Sequence, residues 1–86
     1  MKFSVLWKED AEQELAAIWT ESEDRAAVTW AADRFDTLLK SDPQAQGESR
    51  FDTVRIMLVP PLGIDFEVIE EDRIVYVLSV WTTDRG

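Results

Sequence analysis

Carboxylates are the most abundant candidates for chemistry in this 86-residue chain. Glu70-Glu71-Asp72 could offer oxygen ligands to a hard cation, but the tract lacks the length and alternating spacing of a calcium loop. A short charge run is ordinarily a solvated turn. Asp65 and Glu67 fall on one side of a strand, where they could share a proton or pair with a cation. The plainer reading is the solvent face of a sheet, and sugar hydrolysis by such a pair needs a cleft that a domain this small rarely encloses. Nucleophilic catalysis lacks its partner. Ser4, Ser49 and Ser79 are present, but the chain has neither His nor Cys, and no lysine stands in a Ser-x-x-Lys context. The same gaps exclude thiolate or Cys/His zinc sites and a disulfide framework. Gly47, Gly63 and Gly86 are isolated, so no glycine-rich loop cradles phosphate. No catalytic residue, metal site or cofactor is therefore expected.

Charge narrows the binding functions. Nine basic against 18 acidic residues give a net charge of −9. Non-specific affinity for nucleic acid comes mostly from Lys and Arg neutralising phosphate, so direct nucleic-acid binding is not expected. The same argument applies to anionic membrane surfaces. The acids crowd the two ends of the chain, and a cationic surface must draw on Arg25, Arg34, Lys40, Arg50 and Arg55. A basic partner is the better inference from net charge. No apolar run reaches the 18 or so residues of a membrane span, and the start of the chain is too short for a signal peptide; a cytoplasmic protein is expected.

The elements that must position these residues form one domain over 1–86, since a domain takes roughly 100–200 residues. Phe3, Val5 and Trp7 alternate with Ser4 and Leu6, a short strand. Asp10 with Gln13 has the form of a capping box, and Ala11, Leu15, Ile18 and Trp19 recur at helical spacing, predicting a helix over about 10–22. A second helix over about 24–40 follows, with Val28, Ala31, Ala32, Phe35, Leu38 and Leu39 in one apolar sector, stopped by Asp42-Pro43. Ser41 to Arg50 reads as the longest loop. Three strands complete the chain: Val54, Ile56 and Leu58 alternate with Arg55, Met57 and Val59; Ile64, Phe66 and Val68 with Asp65, Glu67 and Ile69; Ile74, Tyr76, Leu78 and Val80 with Val75, Val77, Ser79 and Trp81. The fold class is α+β: strand, helix, helix and a three-stranded meander, with the αα-hairpin packed on one face of an antiparallel sheet.

Two surfaces are candidates for binding. The alternation places Met57, Val59, Ile69, Val75, Val77 and Trp81 opposite Ile56, Phe66 and Tyr76. The hairpin can cover only one sheet face, so the Trp81 face is expected to need a partner, a loop or a second copy. Arg50 and Arg55 are the cations beside it. Trp30 projects from the polar side of the second helix with Arg34, and an indole there is a common interface anchor. The alternative for Trp30 is cover by the loop or the flanking helix.

The order of elements resembles the RelE/ParE superfamily of toxins from bacterial toxin–antitoxin modules, which include plasmid-stabilisation proteins. The likeness spans nearly the whole chain: an N-terminal strand leading into Trp7-x-x-x-Ala11-x-x-x-Leu15, a second helix closing on Leu38-Leu39 and Asp42-Pro43, the loop Gly47-Glu48-Ser49-Arg50, the strand Val54-Arg55-Ile56, and the pair Phe66-Glu67-Val68 and Val75-Tyr76-Val77-Leu78-Ser79-Val80. The resemblance implies a cognate antitoxin as partner, often with an acidic tail that Arg50 and Arg55 could meet. Its mRNA-cleaving branch uses several Lys and Arg and often a C-terminal Tyr or His. Here Arg55 neighbours Met57, Gly63-Ile64-Asp65 stands where that branch carries Arg, and Trp81-Thr82-Thr83-Asp84-Arg85-Gly86 holds neither Tyr nor His. The gyrase-poisoning branch needs no catalytic side chain. The expectation is a toxin-family protein that acts by protein binding, on an antitoxin and a gyrase-like target or a second copy. The alternatives are an mRNA-cleaving toxin using Arg50, Arg55 and Arg85, or a non-toxic acidic binding relative.

Overall fold

The computed structural model describes residues 2–46, 48–51 (backbone) and 53–83. Strand β1 (Ser4–Trp7) leads directly into helix α1 (Glu9–Glu21), and a three-residue break precedes helix α2 (Arg25–Ser41). Strands β2 (Glu48–Phe51), β3 (Val54–Val59), β4 (Leu62–Ile69) and β5 (Ile74–Thr82) then form a meander. The sheet order is β1-β5-β4-β3-β2. This is the expected α+β architecture with two differences. The sheet is mixed rather than antiparallel, because β1 enters parallel to β5. The Ser41–Arg50 stretch is not simply a loop: it holds a single 3-10 turn (Pro43–Ala45) and opens β2, a strand too short to show alternation.

Local sequence accounts for the helix ends. Asp24 caps α2, its carboxylate accepting the Ala27 N–H at 3.1 Å, and Lys40 sits in the last turn, where the dipole favours a cation. Lys8, not Asp10, heads α1, and it makes no side-chain cap. The acids Glu9, Asp10 and Glu12 still lie in the first turn, where partial positive charge attracts them.

Both helices bury their apolar stripe on the same side of the sheet. Ala11 from α1 and Val28, Ala31, Phe35 and Leu39 from α2 meet Met57, Ile64, Phe66, Val68, Val75, Val77 and Val80, all buried. Large aromatic and aliphatic side chains of this kind contribute about 1.5–3 kcal/mol each on full burial. The side-chain N–H of Trp7 donates to the Asp36 carboxylate at 3.0 Å, tying the end of β1 to α2. Trp19 likewise donates to the Thr29 hydroxyl at 3.1 Å, tying α1 to α2.

Strand β5 carries the feature that matters most for the surface. Its pairing with β4 shifts register between Asp65 and Phe66: Asp65 faces Ser79 but Phe66 faces Val77, which leaves Leu78 as an extra residue. A bulge of this kind reverses the in-out alternation beyond it. Val75, Val77 and Val80 therefore point to the helices, and Ile74, Tyr76 and Trp81 point away. Regular alternation would have placed Val77 and Trp81 on one face. They lie on opposite faces.

Candidate protein interface

The face of the sheet turned away from the helices has no described element packed against it. Cross-strand partners share a face, so registers lay out its rows. Leu6, Tyr76, Glu67 and Val54 form one; Ser79, Asp65 and Ile56 form the next; Trp81, Gly63 and Leu58 form the third. Leu6 and Leu58 are 47% and 58% exposed, and Tyr76, Ile56 and Trp81 are half-buried. Two carboxylates lie among these apolar groups, each held by a hydroxyl. Ser79 donates to Asp65 at 2.9 Å and Thr53 to Glu67 at 2.6 Å. The Lys8 ammonium stands over the Tyr76 ring, 4.6 Å from its centre. The described part of this face is thus mostly apolar, with two carboxylates in its middle.

The expected surface residues divide accordingly. Trp81 lies on this open face. Met57 and Val77 do not: they are buried against the helices, at 6% and 0% exposure, and Val59 packs at the edge of the same core. The correction has two causes. The helices cover the Met57 side, and the bulge at Leu78 separates Val77 from Trp81. Arg55 also points to the helix side, paired across the ladder with Phe66, and its Nε donates to the Gln46 carbonyl at 2.9 Å. The side chain of Arg50, and Arg85, lie outside the described residues. The residues missed from sequence are Leu6, Ile56, Leu58 and Tyr76. Ile56 and Leu58 belong to it because the helices cover the Met57 side, and Leu6 and Tyr76 join the Trp81 face through the register shift of β5, of which periodicity gives no warning.

A second surface lies on the helical hairpin. Trp30 is 59% and Trp19 43% exposed, and the Arg25 guanidinium stacks on Trp19 at 4.7 Å while donating to the Trp19 and Thr20 carbonyls. Trp30 and the exposed Arg34 lie on the polar side of α2, as the helical spacing predicts. Between the helices a groove of about 570 Å³ is lined by Trp7, Leu15, Trp19, Val28 and Ala32, with Glu12, Asp33 and Asp36 at its polar side. Among the described residues no group of His, Cys, Asp or Glu is placed to hold a metal ion, and no helix is long and apolar enough to cross a membrane.

Solved structures share this architecture. The chain superposes on the RelBE2 toxin–antitoxin complex from Mycobacterium tuberculosis with a TM-score of 0.76 at 16% identity, covering 95% of this chain and 99% of that one. The ParDE system of P. aeruginosa gives 0.73 at 18% identity, with 96% and 98% covered. The isolated E. coli RelE toxin gives 0.69 at 17% identity, with 98% and 87% covered. Neither a protein-family model nor a curated protein sequence matches the chain. The protein therefore has the RelE/ParE-like toxin fold along nearly its whole length. At these identities fold is shared and chemistry must be read from the side chains.

Proposed function

We propose that this chain is the toxin-family component of a toxin–antitoxin module and works by binding protein rather than by cutting RNA. The observation that carries the reading is the open sheet face, where Asp65 and Glu67 stand among Leu6, Ile56, Leu58, Tyr76 and Trp81. Cleaving a phosphodiester requires preorganised positive charge at the scissile phosphate. Among the described residues of this face the carboxylates Asp65 and Glu67 outnumber the one cation, Lys8. Arg55, the one described arginine of the alternative catalytic set, is engaged on the helix side with the Gln46 carbonyl. Solved chains of this fold include partners in toxin–antitoxin complexes, which supports an antitoxin as the protein bound.

The test is coexpression with the product of each gene that flanks the one encoding this chain. Stable copurification, together with no mRNA cleavage in a reconstituted translation system, is the expected result. Trp81→Ala is expected to weaken the complex at least about tenfold, because truncating a central interface aromatic typically costs about 2 kcal/mol or more. Codon-specific cleavage that Arg55→Ala abolishes would overturn the reading.

A further inference from the structure

We infer that the cleft between the end of α1 and the last residues of β5 is a docking slot for an extended, basic segment of a partner protein. The inference rests on the protein-binding reading above and deepens it by naming the chemistry of the segment. It starts from the mismatch in length between two neighbouring strands. β1 pairs only with Ile74–Val77, whereas β5 runs on to Thr82 and is paired by β4 along that whole length. Past Val77 the other edge of β5 has no strand partner among the described residues. The chain leaves that edge at Lys8, whose N–H donates to the Val77 carbonyl at 3.0 Å before α1 begins.

This stretch of edge is held by a side chain instead of a strand: Val80 is buried and Thr82 exposed. The Val80 N–H points out of the edge and donates to the Glu14 carboxylate of α1 at 2.9 Å. A side-chain oxygen thus stands where a neighbouring strand would put a carbonyl. In an antiparallel ladder alternate residues present their backbone groups to the same side, so Thr82 faces the same way as Val80. Unpaired strand edges are templates for an added strand.

The surroundings select the occupant. The cleft measures about 910 Å³. Ile18, Val28, Pro61 and Val80 supply apolar surface, and Glu14, Glu21, Glu23 and Asp24 line it as well; none of its described lining residues is basic. At physiological salt the screening length is about 8 Å, so charges this close to a docked segment are felt. A second copy of this chain, itself at −9, has the wrong sign, and so has a nucleic acid. A strand that alternates Lys or Arg with apolar residues fits on both counts, one row of side chains meeting the apolar surface and the other the carboxylates.

The probe is a peptide of about eight residues alternating Lys and Val, the length of a long strand. Titration followed by amide NMR is expected to shift the backbone N–H groups of Val80, Trp81 and Thr82, with an affinity that falls as salt rises. Glu21 and Glu23 are exposed, so the double variant Glu21→Gln/Glu23→Gln should keep the parent melting temperature and bind about five- to tenfold more weakly, the scale of two exposed ion pairs. A Lys-Pro peptide of equal charge lacks the N–H groups for pairing and should bind more weakly still than Lys-Val. Equal binding of Lys-Pro, shifts scattered away from the cleft, or indifference of the double variant would each overturn the inference. So would concentration-dependent dimers that shift the same residues without peptide, since the occupant would then be a second copy. A chain that copurifies with its antitoxin but ignores Lys-Val loses this inference and keeps the reading above. One that binds Lys-Val at the cleft but has no antitoxin does the reverse.

Discussion

Gly63 shows how an absent side chain shapes the open face. A Cβ added there would lie 2.7 Å from Cε2 and Nε1 of Trp81 and 2.8 Å from Cδ2 of Leu58, well inside van der Waals contact. The Trp81 indole therefore takes the space that any other residue at 63 would fill, and Trp81, Gly63 and Leu58 make one cross-strand unit. Gly63→Ala should displace the indole and cost about 1–3 kcal/mol, the usual range for overpacking a filled site. Urea denaturation measures the loss, and the Trp81 indole N–H resonance reports the displacement. Trp30→Ala is the comparison: at 59% exposure its change should stay within about 0.5 kcal/mol. Equal stability of Gly63→Ala and the parent would mean that the ring has an alternative resting place.

Elements follow local rules where the rules are local. Asp24 directly precedes α2, and its carboxylate accepts the Ala27 N–H. Asp24→Ala is expected to cost about 1 kcal/mol, lowering the melting temperature by roughly 4–8 °C in a domain of this size. Calorimetry checks it, and an unchanged midpoint would show that water caps α2 equally well. Both helices were legible in the apolar spacing, because a helix buries one stripe and polar residues reveal the rest. Strand alternation in β3 and β4 was legible for the same reason. What the sequence hid depends on contacts between distant segments. Nothing near Leu78 announces that Phe66 will pair with Val77 while Asp65 pairs with Ser79, since both rows of β5 are apolar and either could face a core. The parallel entry of β1 is hidden too, as four residues carry no orientation. The candidate surface inherited that gap. Trp30 and Arg34 lie exposed on α2, whereas Trp81 shares its face with Ile56 and Tyr76 instead of opposing them, and Met57, Val59 and Val77 belong to the side that the helices cover.

At the scale of the whole molecule, charge links stability and binding. A net −9 is held on a body whose radius of gyration is 12.4 Å. The screening length is about 30 Å at 0.01 M salt and about 3 Å at 1 M. At low salt every carboxylate senses the others, whereas at high salt only immediate neighbours interact. Direct DNA or RNA affinity should accordingly stay above micromolar at about 150 mM salt, because the chain has few cations with which to release counterions; a tight gel-shift by this chain alone would contradict that. Self-repulsion also destabilises a compact state. Sodium chloride should therefore raise the melting temperature between about 0.01 M and about 0.5 M, the range over which screening becomes shorter than the molecule. The three cation–π contacts among the described residues, of Lys8, Arg25 and Arg73, oppose this trend, but such a contact is worth only about 0.5–1 kcal/mol at an exposed site, against 18 acids facing nine bases. Guanidinium chloride and urea provide the internal check. Guanidinium screens charge as it denatures and urea does not, so the stability extrapolated from guanidinium should exceed that from urea at low salt. Equal values, with a melting temperature flat in sodium chloride, would mean that the acids lie far enough apart in the fold for their repulsion to be negligible.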